Sequence, residues 1–266
     1  MHVAVIGCGN MGSALVMGLR KKFGSTWDIS VYDPRKESVD TLNAALATPV
    51  EYSRPLEWFV GDAPDMVVVA VKPQVLPQVL SALPKTDERT LWISIAAGIQ
   101  LTTLEENLPQ GAKVCRVMPN TPALVGEALS AFSLSTLCDE QERVKVTSLL
   151  SAIGEVVEVP ESMMSAVTGL SGSGPAYIFT IIEALTEGAV ATGLPYDIAL
   201  KSATQTVVGA AKMVQETGES PAVLRSKVMS PGGTTAAGVR ALEQAGIRGA
   251  LMGAVAAASK RADELA

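Results

Sequence analysis

Three stretches of this chain bring together residues that could do chemistry. The first is Gly7-Cys8-Gly9-Asn10-Met11-Gly12, glycines at GxGxxG spacing between the apolar run Val3-Ala4-Val5-Ile6 and the run Ser13-Ala14-Leu15-Val16. This pattern predicts strand, tight turn and helix. Gly7 makes the turn, Gly9 admits a diphosphate, Gly12 lets helix and strand pack closely, and Asn10 and Met11 open the helix whose N–H groups hold the anion. The other two are Ser171-Gly172-Ser173-Gly174-Pro175 and Ser230-Pro231-Gly232-Gly233-Thr234-Thr235. Each is expected to be a turn leaving backbone N–H groups and hydroxyls free ahead of a helix, a nest suited to a carboxylate. The one histidine, His2, lies at the start of the chain, so no His-based triad and no metal centre is expected. Hydride transfer to an iminium fits this inventory. A ketone needs an acid to protonate its alkoxide, whereas a C=N nitrogen already carries its proton and needs only to be oriented.

The elements that must hold these residues follow from periodicity. A strand over 3–6 and a helix over 10–23 flank the glycines, and an alternating strand over 27–33 ends in Asp33. An acid there normally meets the ribose 2′-hydroxyl and favours NAD, whereas Arg35 and Lys36 just beyond it favour a 2′-phosphate and NADP. The two signals conflict, and a plain strand exit with a helix cap is the alternative to both. The β-branched run 65–71 reads as a central strand buried on both faces, stopping at Val71-Lys72-Pro73. Lys72 then stands at the carboxyl edge of the sheet, with Pro73 in the first turn of a helix over 74–83. A strand over 91–95 runs into Ala96-Ala97-Gly98, and one over 113–117 into Met118-Pro119-Asn120-Thr121-Pro122. Ala97 falls at a strand end, and the two prolines hold Asn120 and Thr121 as poised donors, or as part of an ordinary loop.

Strands over 128–134 and 155–159 with a helix over 139–153 complete a doubly wound parallel sheet covering residues 1–160. After Pro160 the pattern turns helical to residue 266. The stretch 176–192 is apolar almost all round, more than a helical half of this size can bury alone, so part of its cover is expected from a second copy.

Composition narrows the partners. The chain has 266 residues, 48% hydrophobic and 18% charged, with a formal charge of -6 and no basic stripe. A soluble globular protein is expected, without nucleic-acid binding. The opening Met1-His2-Val3 has no basic n-region, which predicts neither signal peptide nor membrane span and a cytoplasmic location. Cys8, Cys115 and Cys138, an odd number at scattered spacing, read as reduced thiols.

Five ordered blocks make the chain resemble the pyrroline-5-carboxylate reductase family. They are the glycine fingerprint, Val71-Lys72-Pro73-Gln74, Arg116-Val117-Met118-Pro119-Asn120-Thr121-Pro122, Gly172-Ser173-Gly174-Pro175-Ala176-Tyr177 and Ser230-Pro231-Gly232-Gly233-Thr234-Thr235. The resemblance implies reduction of 1-pyrroline-5-carboxylate to proline, with NADPH as the usual hydride donor and NADH usable. It implies that the Ser230-Gly232-Gly233-Thr234 turn binds the carboxylate, with Ser173 contributing, and that Thr235 contacts the ring nitrogen. It also implies a Rossmann-like half and an all-α half that interlocks two subunits as a homodimer, or as a ring of dimers. Asp33 departs from what a strict NADP site prefers. Two rivals stand beside this reading: a β-hydroxyacid dehydrogenase using Lys201 or Lys212 as proton donor, and a non-catalytic NADP-binding protein.

Overall fold

The computed structural model describes residues 1–52, 64–83 and 89–265. Among these, the β-branched runs form one eight-stranded sheet in the order β3 (Glu51–Tyr52), β2 (Asp28–Tyr32), β1 (His2–Ile6), β4 (Met66–Val69), β5 (Leu91–Ser94), β6 (Lys113–Met118), β7 (Ala128–Leu134), β8 (Gly154–Glu158). The chain begins at β1, works outward to β3, then crosses back over β1 to lay down β4. The topological switch point, where ligands bind in open α/β sheets, therefore lies between β1 and β4.

Neighbouring strands run parallel with one exception: β7 is antiparallel to β6, Met118 facing Ala131 and Cys115 facing Leu134. The connection between them is residues 119–127, holding only the 3₁₀ turn Thr121–Val125. That is too short for a helical crossover, so the chain can only double back.

Strands β1, β4 and β5 are buried on both faces, and their alternating side chains feed two cores. Val3 and Val5 join Met66, Val68, Leu91 and Ile93 on one face, under Leu15, Val16 and Leu19 of α1 (Asn10–Phe23). Ala4 and Ile6 join Val67, Val69 and Trp92 on the other. There they meet Leu76 and Leu80 of α3 (Leu76–Ala82), and Leu101 and Leu104 of α4 (Leu101–Asn107). Helix α2 (Lys36–Ala44) follows β2, and α5 (Glu140–Leu150) follows β7 behind a capping box, in which the Asp139 side chain and Glu142 exchange bonds with each other's backbone N–H. α3 begins two residues later than the sequence suggests. Residues 72–75 make a turn, Val75 N–H donating to the Lys72 carbonyl at 2.9 Å, and Pro77 rather than Pro73 occupies the first helical turn.

The chain divides into two compact units, Met1–Gly172 with Ala258–Ala266, and Ser173–Ala257. By compactness residues 161–172 go with the sheet. Glu161 Oε1 accepts both the Leu101 N–H at 2.7 Å and Arg116 Nη1 at 3.0 Å, and Met164 of α6 (Met164–Val167) is buried. The second unit contains α7 (Gly174–Ala191), α8 (Tyr196–Thr217), α9 (Pro221–Val228), α10 (Thr234–Gln244) and most of α11 (Ile247–Leu265). Its helices bury little within the chain: Thr186 on α7, Ala199 and Ala203 on α8, Leu224 on α9, and nothing on α10 or α11. Phe179 and Tyr196 are each 64% exposed and Met252 73%. No helix among the described residues is long and apolar enough to cross a membrane.

Candidate functional site

At the switch point the glycine turn takes its shape from contacts that only glycine permits. Gly7 sits at φ +105°, and a Cβ there would lie 2.5 Å from the Ala70 carbonyl oxygen. A Cβ at Gly12 would collide with the Gly7 carbonyl, which is what lets α1 press against the turn. Around Gly9 a Cβ would meet no protein atom within 4 Å. Gly9 is also the N-cap of α1, no side chain bonds to the helix end, and the first turn closes with Ser13 N–H on the Gly9 carbonyl. The N–H groups of Asn10, Met11 and Gly12 thus stand as the orphan donors of a helix start.

This end opens into a cleft of about 420 Å³ lined by the ends of three strands: Ile6, Gly7 and Gly9 after β1; Tyr32, Asp33, Pro34 and Arg35 after β2; Ala70, Val71 and Lys72 after β4. Val75, Gln78 and Val79 close one side. None of these three stood out in the sequence, although their i, i+3, i+4 spacing behind a buried strand marks one helix face.

Asp33, 3% exposed, does not present a free carboxylate to the cleft. Its Oδ2 accepts the Cys8 N–H at 2.9 Å, and its Oδ1 accepts the Arg35 N–H at 2.9 Å and Arg35 Nε at 3.3 Å. Burial opposes its charge, but these donors outweigh it and hold the carboxyl below its usual range. Burial foremost, then the Asp33 charge, pushes the neighbouring Cys8 thiol up to about 12, so Cys8 is a neutral filler of the turn.

Other residues singled out in the sequence fall differently. Lys36 is outside the cleft lining and pairs with Asp40 one helical turn on, Nζ to Oδ1 2.6 Å. Pro73 and Ala97 also lie outside it, Ala97 exposed beyond the carboxyl end of β5. Asn120 is not a poised donor. Its Oδ1 accepts the Leu129 N–H at 3.1 Å, and its Nδ2 donates to both the carbonyl and the hydroxyl of Ser171 at 3.1 Å, so the amide is spent pinning the loop after β6 to the chain at 171. Among the described residues, no three His, Cys, Asp or Glu side chains gather as a metal site.

The two expected nests differ from each other. No open turn precedes α7: Thr168–Gly172 is one turn of π-helix, and Ser173 itself has helical angles, φ -88°, ψ -23°. Glycines at 169 and 172 let the wider turn form, so helical backbone carries on where a break was expected. The turn before α10 is open. Gly232 has φ +70°, Gly233 N–H donates to the Ser230 carbonyl at 3.0 Å, and a Cβ at Gly233 would strike Ser230 Oγ. α10 starts at Thr234, with Gly233 as N-cap and no side chain capping it. Ala237 N–H makes the first helical bond, to the Gly233 carbonyl. Between them the N–H groups of Thr234, Thr235 and Ala236 are left as first-turn donors.

The Thr235 hydroxyl, half-buried, has no partner among the described residues. Thr180, Thr186, Thr206 and Thr217, by contrast, each return their hydroxyl to the carbonyl four residues back. Lys201 and Lys212, the proton donors a β-hydroxyacid dehydrogenase would need, are both exposed on α8.

Comparison with known proteins places these features in a lineage. Residues 161–265 match the family model described as pyrroline-5-carboxylate reductase dimerisation, and residues 2–98 the one described as NADP oxidoreductase coenzyme F420-dependent. A pyrroline-5-carboxylate reductase of Synechocystis is 42% identical over 266 residues, covering 100% of this chain and 98% of the relative. The chain belongs to the pyrroline-5-carboxylate reductase family. The solved pyrroline-5-carboxylate reductase of Coxiella burnetii superposes with a TM-score of 0.91 at 34% identity, over 99% of this chain and 98% of that one. The Plasmodium falciparum pyrroline carboxylate reductase, solved with NADP bound, gives 0.86 at 29% identity, over 100% and 98%. This pyrroline-5-carboxylate reductase relative is an oxidoreductase with an N-terminal Rossmann-like sheet and a C-terminal helical dimerisation domain.

Proposed function

We propose that the protein reduces 1-pyrroline-5-carboxylate to L-proline with hydride from NADPH, NADH serving less well, as the last step of proline biosynthesis. The observation that carries this reading is family membership along the entire chain, with relatives of the same name matching both halves. The cleft at the switch point suits a dinucleotide. The open space over Gly9 and the free N–H groups of Asn10, Met11 and Gly12 fit a diphosphate, and Arg35 stands at the β2 end of the same cleft. Val71, Lys72, Pro73 and Ala97, all beyond the carboxyl ends of β4 and β5, are assigned to the nicotinamide half. Lys36 and Asn120, engaged elsewhere, are assigned to positioning.

When bound, the dinucleotide supplies the hydride that adds to the imine carbon. In the helical unit, the Thr234, Thr235 and Ala236 N–H groups and the Ser230-Gly232-Gly233 turn hold the substrate carboxylate. The Thr235 hydroxyl accepts the iminium N–H and fixes the ring's orientation, with Ser173 lending a second hydroxyl. The iminium nitrogen brings its own proton, so hydride addition yields the neutral amine and no side chain need donate one.

Residues 1–160 act as the dinucleotide half and 161–266 as the substrate and dimerisation half. The working enzyme is a cytoplasmic homodimer, or a ring of such dimers, in which a second copy covers the exposed apolar faces of α7 and α8. Steady-state oxidation of NADPH and of NADH with pyrroline-5-carboxylate tests substrate, reaction and cofactor together. Turnover with a β-hydroxyacid and none with the imine would overturn the assignment.

A further inference from the structure

An acid at the end of the second strand ordinarily counts against a 2′-phosphate, since its carboxylate accepts the two ribose hydroxyls of NAD and repels the extra charge of NADP. The geometry points to the opposite role in this chain: Asp33 is a specificity-determining positioning residue that presents the Arg35 guanidinium to a 2′-phosphate, so the acid selects for the phosphorylated dinucleotide. The inference rests on the NADPH reading above and deepens it.

Three observations carry it. Asp33 is 3% exposed, and both its oxygens are engaged, Oδ2 by the Cys8 N–H and Oδ1 by two donors of Arg35, so little of it remains for a ribose to reach. Arg35 is held twice by one oxygen. Its backbone N–H closes an Asx turn across Pro34, which makes Arg35 the N-cap residue of α2, and its Nε then bonds the same Oδ1. Finally, the guanidinium is bound through Nε alone. The side chain is 69% exposed, Arg35 lines the cleft, and among the described residues Nη1 and Nη2 have no hydrogen-bond partner. A guanidinium fixed at Nε with both Nη groups outward is a fork for a tetrahedral anion. The neighbouring lysine does not compete for this role, being tied to Asp40.

Two effects of the carboxylate on a bound phosphate oppose each other. Its charge repels the anion, but through an open, hydrated cleft and with the guanidinium between them that repulsion is screened. Its hydrogen bonds remove most of the rotamer freedom of a long side chain that would otherwise be lost when the phosphate binds. Positioning wins, by a factor of about three to ten in affinity, roughly what restraining such a side chain confers.

Equilibrium binding to the intact protein, by calorimetry, tests this with two probes: adenosine 2′,5′-bisphosphate, which carries the 2′-phosphate, and 5′-AMP, which does not. Wild type is expected to prefer the bisphosphate. Arg35→Gln should weaken the bisphosphate by about 10- to 100-fold, the range for losing a charge-assisted pair, and leave 5′-AMP unchanged. Asp33→Asn should weaken the bisphosphate about three- to tenfold, with 5′-AMP again unchanged. In the Arg35→Gln background it should have no further effect, because its action passes through the arginine. Tighter bisphosphate binding by Asp33→Asn, or a loss confined to 5′-AMP, would overturn the inference in favour of ribose readout. Equal loss of both probes would overturn it in favour of a purely structural acid that holds up the glycine turn. If Arg35→Gln changes nothing while wild type still prefers the bisphosphate, the inference fails and the NADPH reading stands. If wild type prefers 5′-AMP, both fail.

Discussion

Replacing Thr235 by Ala separates a hydroxyl that acts on substrate from one that only finishes a helix. The structure makes the two roles predict different things. Gly233 is the N-cap of α10 and no side chain caps it, so the loss of about 1 kcal/mol that accompanies removal of a capping hydroxyl should not occur. Alanine is also the better helix former by a few tenths of a kcal/mol, so the melting temperature should hold steady or rise slightly. Activity should respond otherwise. The Thr235 hydroxyl has no partner among the described residues and sits beside three first-turn N–H groups; if it orients the imine, its removal should lower kcat/KM for pyrroline-5-carboxylate by about 10- to 1000-fold. That corresponds to about 1.4–4 kcal/mol of lost transition-state stabilisation. The assay is the initial rate at saturating NADPH with the imine varied, alongside a thermal melt and the KM for NADPH, which should barely move. Thr235→Ser, keeping the oxygen, should retain most activity, and Thr234→Ala marks the background for the neighbouring position. A Thr235→Ala enzyme with normal turnover and a lowered melting temperature would refute the catalytic assignment.

Two further outcomes follow from burial and charge. Phe179→Glu on the exposed face of α7 should turn a dimer into monomer in light scattering: withdrawing two buried phenyl groups at about 2 kcal/mol each weakens association roughly 1000-fold, whereas an active wild-type monomer at micromolar concentration would refute the interface. Asp33 has a depressed folded-state pKa, so its stabilisation is present above the unfolded value near 3.8 and is lost as pH falls through the folded one. The melting-temperature gap between wild type and Asp33→Asn should accordingly be constant from about pH 5 to 8 and close below about pH 4, and a gap that widens in acid would refute the sign.

How much of this was legible in the sequence depended on the range of the interaction that fixes each feature. Runs such as Met66–Val69 and the spacing of Gly7, Gly9 and Gly12 are local, and the expected strands and first helix lie within two residues of where periodicity puts them, whereas the two-residue β3 carries no such pattern. The antiparallel entry of β7 was written in the nine residues 119–127, too few for a crossover, but alternation of strands and helices hid it. The choice between donor and loop at Asn120 stayed open because its partners, Leu129 and Ser171, are distant in sequence and nothing in Met118-Pro119-Asn120-Thr121-Pro122 announces them. The open turn expected at 171–175 was misread for a different reason. Glycine and serine before a proline are ordinary turn chemistry, and a π-turn draws on the same residues. For the helical unit, composition supplied the exposed apolar faces but not what covers them.

Asp33 shows why the sign of a site can escape a motif. The fingerprint treats the acid at the end of the second strand as a ligand of the ribose, and so as a vote for NAD. In this fold the same carboxylate satisfies the Cys8 N–H of the glycine turn and starts the next helix through the Arg35 N–H. Its position is therefore required by the backbone whatever the cofactor, and which ligand it favours depends on the residue two places on. With a short or uncharged residue at 35, the carboxylate would keep a lone pair for a ribose hydroxyl. With arginine there, Nε takes that place and the outward Nη groups reverse the preference. Residues 33 and 35 therefore specify the dinucleotide as a pair, and neither can be read alone.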